Sequence, residues 1–405
     1  MTTDSVRSIL KSANFNYSEE CRLGRIRFRI SAATSSVADA FRTSGMVCEP
    51  SPSNNSLHLS LFAHSLRHNL AGAMSVEVVF ADSTLHNLKP VALTQPIDVV
   101  YTWVDSEDPQ WQRDYAEALA LHGPSSPRTS SDIIRFQDRD ELKYSLRALE
   151  MFAPWVNHIF IVTSGQVPPW LDLDNPQITL VSHTEIFEQQ ADLPTFNSHA
   201  IEANLHRIPG LSEHFLYFND DVFLADWTTP ETFFTPNGET KFFESENHVP
   251  SDPSVTDLPS NWAAFNNKKL LEESFKYIAT KKFKHTAHAQ RLTTLQKAAT
   301  HFREKVEETT AKKFRNRSDI SLPSNLAHHF GAIIGTAVAS DIRYRYIDIN
   351  SARVDVELSR LLLWDDPTIF CLNQVTSRIY PDKSEVTMIR NFLEKYFPWK
   401  SSAEL

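Results

Sequence analysis

Glycine is scarce in this chain, with nine residues in 405. None of them forms a GxGxxG turn or a GxxxxGK[ST] loop, so neither a dinucleotide cradle nor a Walker phosphate cradle is expected. Cysteine is scarcer still. Cys21, Cys48 and Cys371 stand far apart, without CxxC or zinc-ligand spacing, and the expected compartment is reducing. No apolar run approaches the roughly 20 residues needed to cross a bilayer, and Met1-Thr2-Thr3-Asp4 opens no secretory pattern. Positive charge is in deficit, and a formal charge of −10 argues against a general nucleic-acid binder. The expectation is a cytoplasmic protein with no nucleic-acid partner. Hydrophobic content of 41% and charged content of 22% are ordinary for a globular protein that buries one large core or two moderate ones. No internal repeat or low-complexity segment interrupts it.

What is present is a series of apolar strands with acidic exits. In Phe215–Leu224, aromatic and aliphatic residues flank Asn219-Asp220-Asp221 and read as a buried strand. Two adjacent carboxylates cannot be desolvated in mid-strand without a cost of several kcal/mol. They belong where the strand emerges at its C-terminal end, the edge at which open α/β sheets bind ligands. There they offer hard oxygen ligands to Mg²⁺ or Mn²⁺. The plainer alternative is a strand end whose Asp residues cap the following turn. Ile97–Val104 is another buried strand, and it too exits into acid at Asp105-Ser106-Glu107-Asp108.

Around these strands the chain divides into three parts. Residues 1–95 read as an accessory α/β region, with strands at Arg25–Ile30 and Ser75–Phe80 and a loop at Glu49–Asn55. Residues 96–375 carry the strand and helix alternation of a mostly parallel sheet. Further strands are expected at Val156–Thr163, Ile178–Val181 and Tyr344–Ile349. Gly123–Pro127 reads as a flexible loop and a candidate lid. Leu142, Leu146 and Leu149 recur at helical spacing beside Arg135, Arg139 and Arg147, which read either as phosphate ligands or as a solvated face. A helix over Ala200–Ile208 takes Ser198 as its expected N-cap and Glu202 as a first-turn carboxylate. Lysines from Lys268 to Lys284 make the region after Trp262 basic. His285 and His288 suggest a metal pair, although no HExxH accompanies them. Residues 376–405 read as a C-terminal helical tail, amphipathic over Phe392–Trp399.

Taken together, Ile97–Asp105, Arg135–Trp170, Leu193–Leu224 and His285–Arg315 resemble the Stealth family, the bacterial capsular and exopolysaccharide phosphotransferases related to the animal GlcNAc-1-phosphotransferase. The resemblance runs from about Pro96 to about Asn373. It implies a Rossmann-like, GT-A-like sheet flanked by helices. It also implies transfer of a hexose 1-phosphate, with N-acetylhexosamine first among candidates, from a UDP-sugar to a saccharide hydroxyl, with release of UMP. Ile97–Asp105 looks like the first conserved region. Arg135, Glu141, Arg147, Thr163, Gly165 and Gln166 match the second. Asn197, Ser198, Glu202 and Asn219-Asp220-Asp221 match the third. His285, His288 and Arg315 align with the block of the catalytic histidine and arginine, and Phe370–Asn373 resembles the fourth region.

On that footing His285, Arg315, Asp220, Asp221 and Arg135 are the expected catalytic residues, with His285 as the base. Asp220, Asp221 and Asp105 are the expected ligands of Mg²⁺ or Mn²⁺. Asp105, Arg139, Glu141, Arg147, Gly165, Gln166, Asn197, Ser198, Glu202, Asn219, His288 and Asn373 are the expected substrate contacts. The implied partners are a UDP-sugar and a growing capsular or exopolysaccharide chain, with peripheral attachment to a membrane-bound capsule complex at the inner face. Two departures stand out: Ala287 where family members often have proline, and Gln374 where the fourth region commonly has aspartate. A GT-A-like glycosyltransferase and a non-catalytic carbohydrate-binding assembly factor are the competing readings.

Overall fold

The computed structural model describes residues 3–14, 17–22, 25–30, 58–61, 93–123, 136–254, 257–374 and 383–405. Glu49–Asn55, Ser75–Phe80, all but the first residue of the Gly123–Pro127 loop, and Arg135 lie outside them. In the N-terminal region the helix Thr3–Ser12 precedes an antiparallel sheet of β1 (Tyr17–Arg22), β2 (Arg25–Ile30) and β3 (His58–Leu61).

The rest is organised by five strands: β4 (Ile97–Thr102), β5 (Ile159–Thr163), β6 (Ile178–Ser182), β7 (His214–Asn219) and β11 (His288–Arg291). Their order is β11-β7-β4-β5-β6, with β4 parallel to both β5 and β7, β5 parallel to β6, and β11 antiparallel to β7. The expected mostly parallel sheet is therefore observed. Continuous apolar runs suit it because both faces are covered, and alternate side chains leave on opposite sides. Val99, Tyr101, Leu216 and Phe218 enter one buried cluster, and Val100, Phe215 and Tyr217 enter the other.

The first face is covered by the helix Glu141–Phe152 and by the helix Lys383–Tyr396 with the segment after it. Phe392, Leu393, Phe397 and Trp399 are buried in the same cluster as β4, so the C-terminal part is a layer of the main fold rather than a tail. The second face is covered by Ser198–Glu202, Leu292–His301 and Ala327–Ile333.

The run Phe215–Leu224 is two strands, not one. β7 ends at Asn219, Asp220 and Asp221 turn the chain, and β8 (Val222–Leu224) leaves for a second sheet. That sheet has the order β13-β14-β8, with β13 (Tyr344–Asp348) parallel to β14 (Ile369–Asn373) and β14 antiparallel to β8. Phe223 stacks on Phe370 at 5.0 Å, fixing β8 against β14. A third sheet joins β9 (Thr240–His248) to β10 (Lys281–Phe283) and β12 (Ala337–Ser340).

Candidate active site

The chain runs β4, β5, β6 in one direction and then returns to place β7 on the other side of β4. The C-terminal ends of β4 and β7 thus flank the topological switch point, where diverging loops open a crevice. Asp105 follows β4, and Asn219 closes β7. The Asp105 loop is set from the next strand end, because Gln166 accepts from the Asp105 N–H at 3.0 Å and donates to its carbonyl at 2.7 Å. Gly165 makes that approach feasible with φ +96, a conformation costly for any residue with a Cβ. The Asp105 carboxylate accepts from the Glu107 N–H at 2.8 Å, so it also caps its own turn.

Asp221 is the most connected group at the crevice. Its Oδ1 lies 3.1 Å from His285 Nε2, and its Oδ2 accepts from Asn373 Nδ2 at 2.8 Å and from the Cys371 thiol at 3.5 Å. Burial raises its pKa, but the facing imidazole and the amide outweigh that and hold it below the usual carboxylate range. For His285 burial works toward the neutral form. Asp221 and, at longer range, Glu202 reverse this and leave the imidazole above its ordinary value. Asp220 is the opposite case. Burial and the adjacent Asp221, with Glu141 and Asp138 beyond, push its pKa well up, and among the described residues no cation pairs with it.

The carboxylates therefore press on one another. Burial first, and then Asp140, raises Asp138 to about 6. Burial, only partly countered by Arg139, raises Glu141 to about 7. Such a set is relieved by a divalent cation, which the donor chemistry fits: Asp220 and Asp221 supply hard oxygens, while His285 and Cys371 add nitrogen and sulfur.

A second group lies beside β7. Asn197, not Ser198, caps the helix Ser198–Glu202, because its side chain accepts from the His199 N–H. Ser198 instead receives Arg315, whose Nε and NH2 stand 3.0 and 2.5 Å from its hydroxyl. Among the described residues Arg315 has no carboxylate partner. Glu202 accepts from Ser324 at 2.8 Å and from Tyr217 at 3.3 Å, and Tyr217 is in turn reached by Asn219 and Thr102. Burial raises Glu202 despite these donors. Trp111, Phe196 and Phe314 pack together under this group and carry Asn197 and Arg315 toward the β4 loop.

Three residues have positions that correct the expectation of substrate contact. Arg147 is buried in a bidentate pair with Glu404, at 2.7 and 2.8 Å, and also donates to Glu394 and the Phe397 carbonyl. It ties a helix to the C-terminal segment. Arg139 is buried between Glu141, Glu385 and Gln374, the residue standing where aspartate was expected. His288 faces the core from β11, stacked on Tyr217 and 3.4 Å from His328, and burial holds it neutral.

Asp319 and Cys371 escaped the sequence reading as functional residues. Fully buried Asp319 accepts from Asn197 at 3.0 Å, from the Asn316 N–H at 2.8 Å, and lies 3.2 Å from His199 Nδ1, so it anchors the Arg315 turn. Its proximity to Arg315, Asn316 and Arg317 was the available signal.

Comparison with known proteins gives three family-model matches: Stealth protein conserved region 1 over residues 95–123, region 2 over 135–242 and region 3 over 284–332. Asn197–Asp221, expected in the third region, therefore falls in the second, and His285 and Arg315 fall in the third. An exopolysaccharide phosphotransferase of Streptomyces coelicolor is 44% identical over 76% of this chain and 52% of its own length. The exopolysaccharide phosphotransferase CpsY of Mycobacterium tuberculosis is 36% identical over 75% of this chain and 57% of its own length. The chain thus spans about half the length of these relatives. A solved structure described as galactosyltransferase LgtC with donor and acceptor sugar analogs aligns at 10% identity over 75% of this chain and 97% of that one, with a TM-score of 0.38.

Proposed function

Starting from the premise that this chain belongs to the Stealth family, we propose that it transfers a hexose 1-phosphate from a UDP-sugar to a hydroxyl of a saccharide acceptor. An exopolysaccharide chain is the proposed acceptor, in keeping with the relatives' names. The observation that carries the reading is the His285–Asp221 pair at the strand switch point, beside Asp220, which no cation meets among the described residues.

Asp220 and Asp221 would hold Mg²⁺ or Mn²⁺, with Asp105 at the facing strand end, and such an ion neutralises charge on diphosphate oxygens. Arg315, without a carboxylate partner among the described residues, is free to bind a phosphoryl oxygen, and Ser198 fixes its direction. With Nε2–H donated to Asp221, His285 keeps Nδ1 as its basic nitrogen. That nitrogen takes the acceptor hydroxyl proton as the new O–P bond forms. The bond from the same phosphorus to the bridging oxygen breaks, and UMP leaves with the electron pair. In-line positioning and charge neutralisation are most of what this reaction requires of a protein.

The test is product analysis with a panel of UDP-sugars and a saccharide acceptor. A phosphodiester signal in phosphorus NMR with stoichiometric UMP is the expected result. Release of UDP would identify a glycosyltransferase instead.

A further inference from the structure

The three donors around Asp221 come from different elements. Pairing of β8 with β14 sets Cys371 opposite Val222 and so brings its thiol to the neighbouring carboxylate. The turn before β11 brings His285. Zinc bonds of about 2.0–2.3 Å in a tetrahedral site place neighbouring ligand atoms about 3.3–3.6 Å apart. Here His285 Nε2 lies 3.1 Å from Asp221 Oδ1 and the Cys371 sulfur 3.5 Å from Asp221 Oδ2, and one donor atom from each of the three residues lies within 4.8 Å of the others. Asn373 orients the carboxylate from behind, as outer-shell partners of metal ligands do. The side chains of His285 and Asp221 are 32% and 17% exposed, which gives an ion a way in.

An oxygen-seeking ion gains nothing from sulfur, whereas zinc and cobalt favour this mixed set. We propose that Asp221, His285 and Cys371 form a zinc-selective site whose occupation arrests transfer. On binding, the Cys371 S–H proton passes to water as the sulfur–zinc bond forms, and the His285 proton moves through solvent from Nε2 to Nδ1 as the Nε2 lone pair binds zinc, so Nδ1 can no longer act as base. The inhibitory half rests on the function proposed above; the binding half does not.

Anaerobic titration of the full chain with Co²⁺ separates the two halves. One ion per chain with a thiolate-to-cobalt charge-transfer band is expected. The band should survive Cys21→Ser/Cys48→Ser, and cobalt affinity should fall at least about 10-fold in Cys371→Ser. His285→Ala, a change on the exposed side, should show the same loss of affinity and covers the case in which Cys371→Ser fails to fold. Unchanged cobalt affinity in folded Cys371→Ser and His285→Ala, or a band that vanishes with Cys21 and Cys48, would overturn the site. In Mg²⁺-supported assays zinc should inhibit wild type at a concentration at least about 10-fold lower than it inhibits Cys371→Ser, each relative to its own zinc-free rate. Equal sensitivity would overturn the regulatory half. An absence of any turnover would count against the proposed function and leave the cobalt result standing.

Discussion

Asp221 and His285 make opposite demands on a proton. Their pairing leaves the carboxylate ionised and raises the imidazole above about 6.5 in the cation-free protein. Histidine NMR titration of that protein should show a raised value for His285, falling in Asp221→Asn; a value at or below the ordinary one would contradict the pairing. Loss of the base should cost transfer roughly 10²-fold in His285→Ala, with UDP-sugar affinity retained. Asp319→Ala should destabilise by about 2–4 kcal/mol in urea, because it strands the Asn197 side-chain amide and the Asn316 N–H without their acceptor. At this scale the sequence showed which residue types matter but not which of them meet. Asn219-Asp220-Asp221 was legible because adjacent carboxylates cannot sit inside an apolar strand. The arginines were not, because Arg139, Arg147 and Arg315 look alike until their partners are known. The first two are consumed by buried carboxylates, and the third meets none among the described residues.

Among the elements, strands were the most legible. β4, β5 and β7 are short apolar runs closed by polar residues, and burial on both faces dictates that pattern, while the edge strand β6 is only partly buried. The break between β7 and β8 was hidden, because the same apolar character continues into another sheet. The helix after Asn197 was expected with Ser198 as cap, and the choice between adjacent capping types depends on which side chain reaches back to the backbone. The C-terminal helix was visible from its amphipathic period, but its anchor was not, since Arg147 and Glu404 lie 257 residues apart. Both side chains of that pair are under 5% exposed. Glu404→Ala should therefore cost about 1.5–3 kcal/mol, the scale of lost charged hydrogen bonds, because Glu394 and the Phe397 carbonyl still hold Arg147, measured as a fall in denaturation midpoint. A shift below about 1 kcal/mol would show the segment to be held by apolar packing alone.

For the whole molecule, neutral buried histidines set an acid limit. Burial lowers His183, His206 and His329 to about 4, and His328 to about 3. Below about 6.5 the unfolded chain binds protons that the folded one refuses, so stability should fall as pH drops from about 6.5 to about 4. Thermal melts across that range check it, and a flat profile would contradict it. Residues 1–94 precede the first family-model match. A chain beginning near Leu93 should still consume the donor, with acceptor use altered. The most direct measurement is phosphorus NMR of a UDP-sugar and saccharide acceptor incubated with wild type and with Asp220→Asn in the presence of Mg²⁺. Wild type should build a phosphodiester and release one UMP for each, and Asp220→Asn, still folded, should build none. A phosphodiester formed at an unchanged rate by Asp220→Asn, or UDP in place of UMP from wild type, would contradict the role assigned to this crevice.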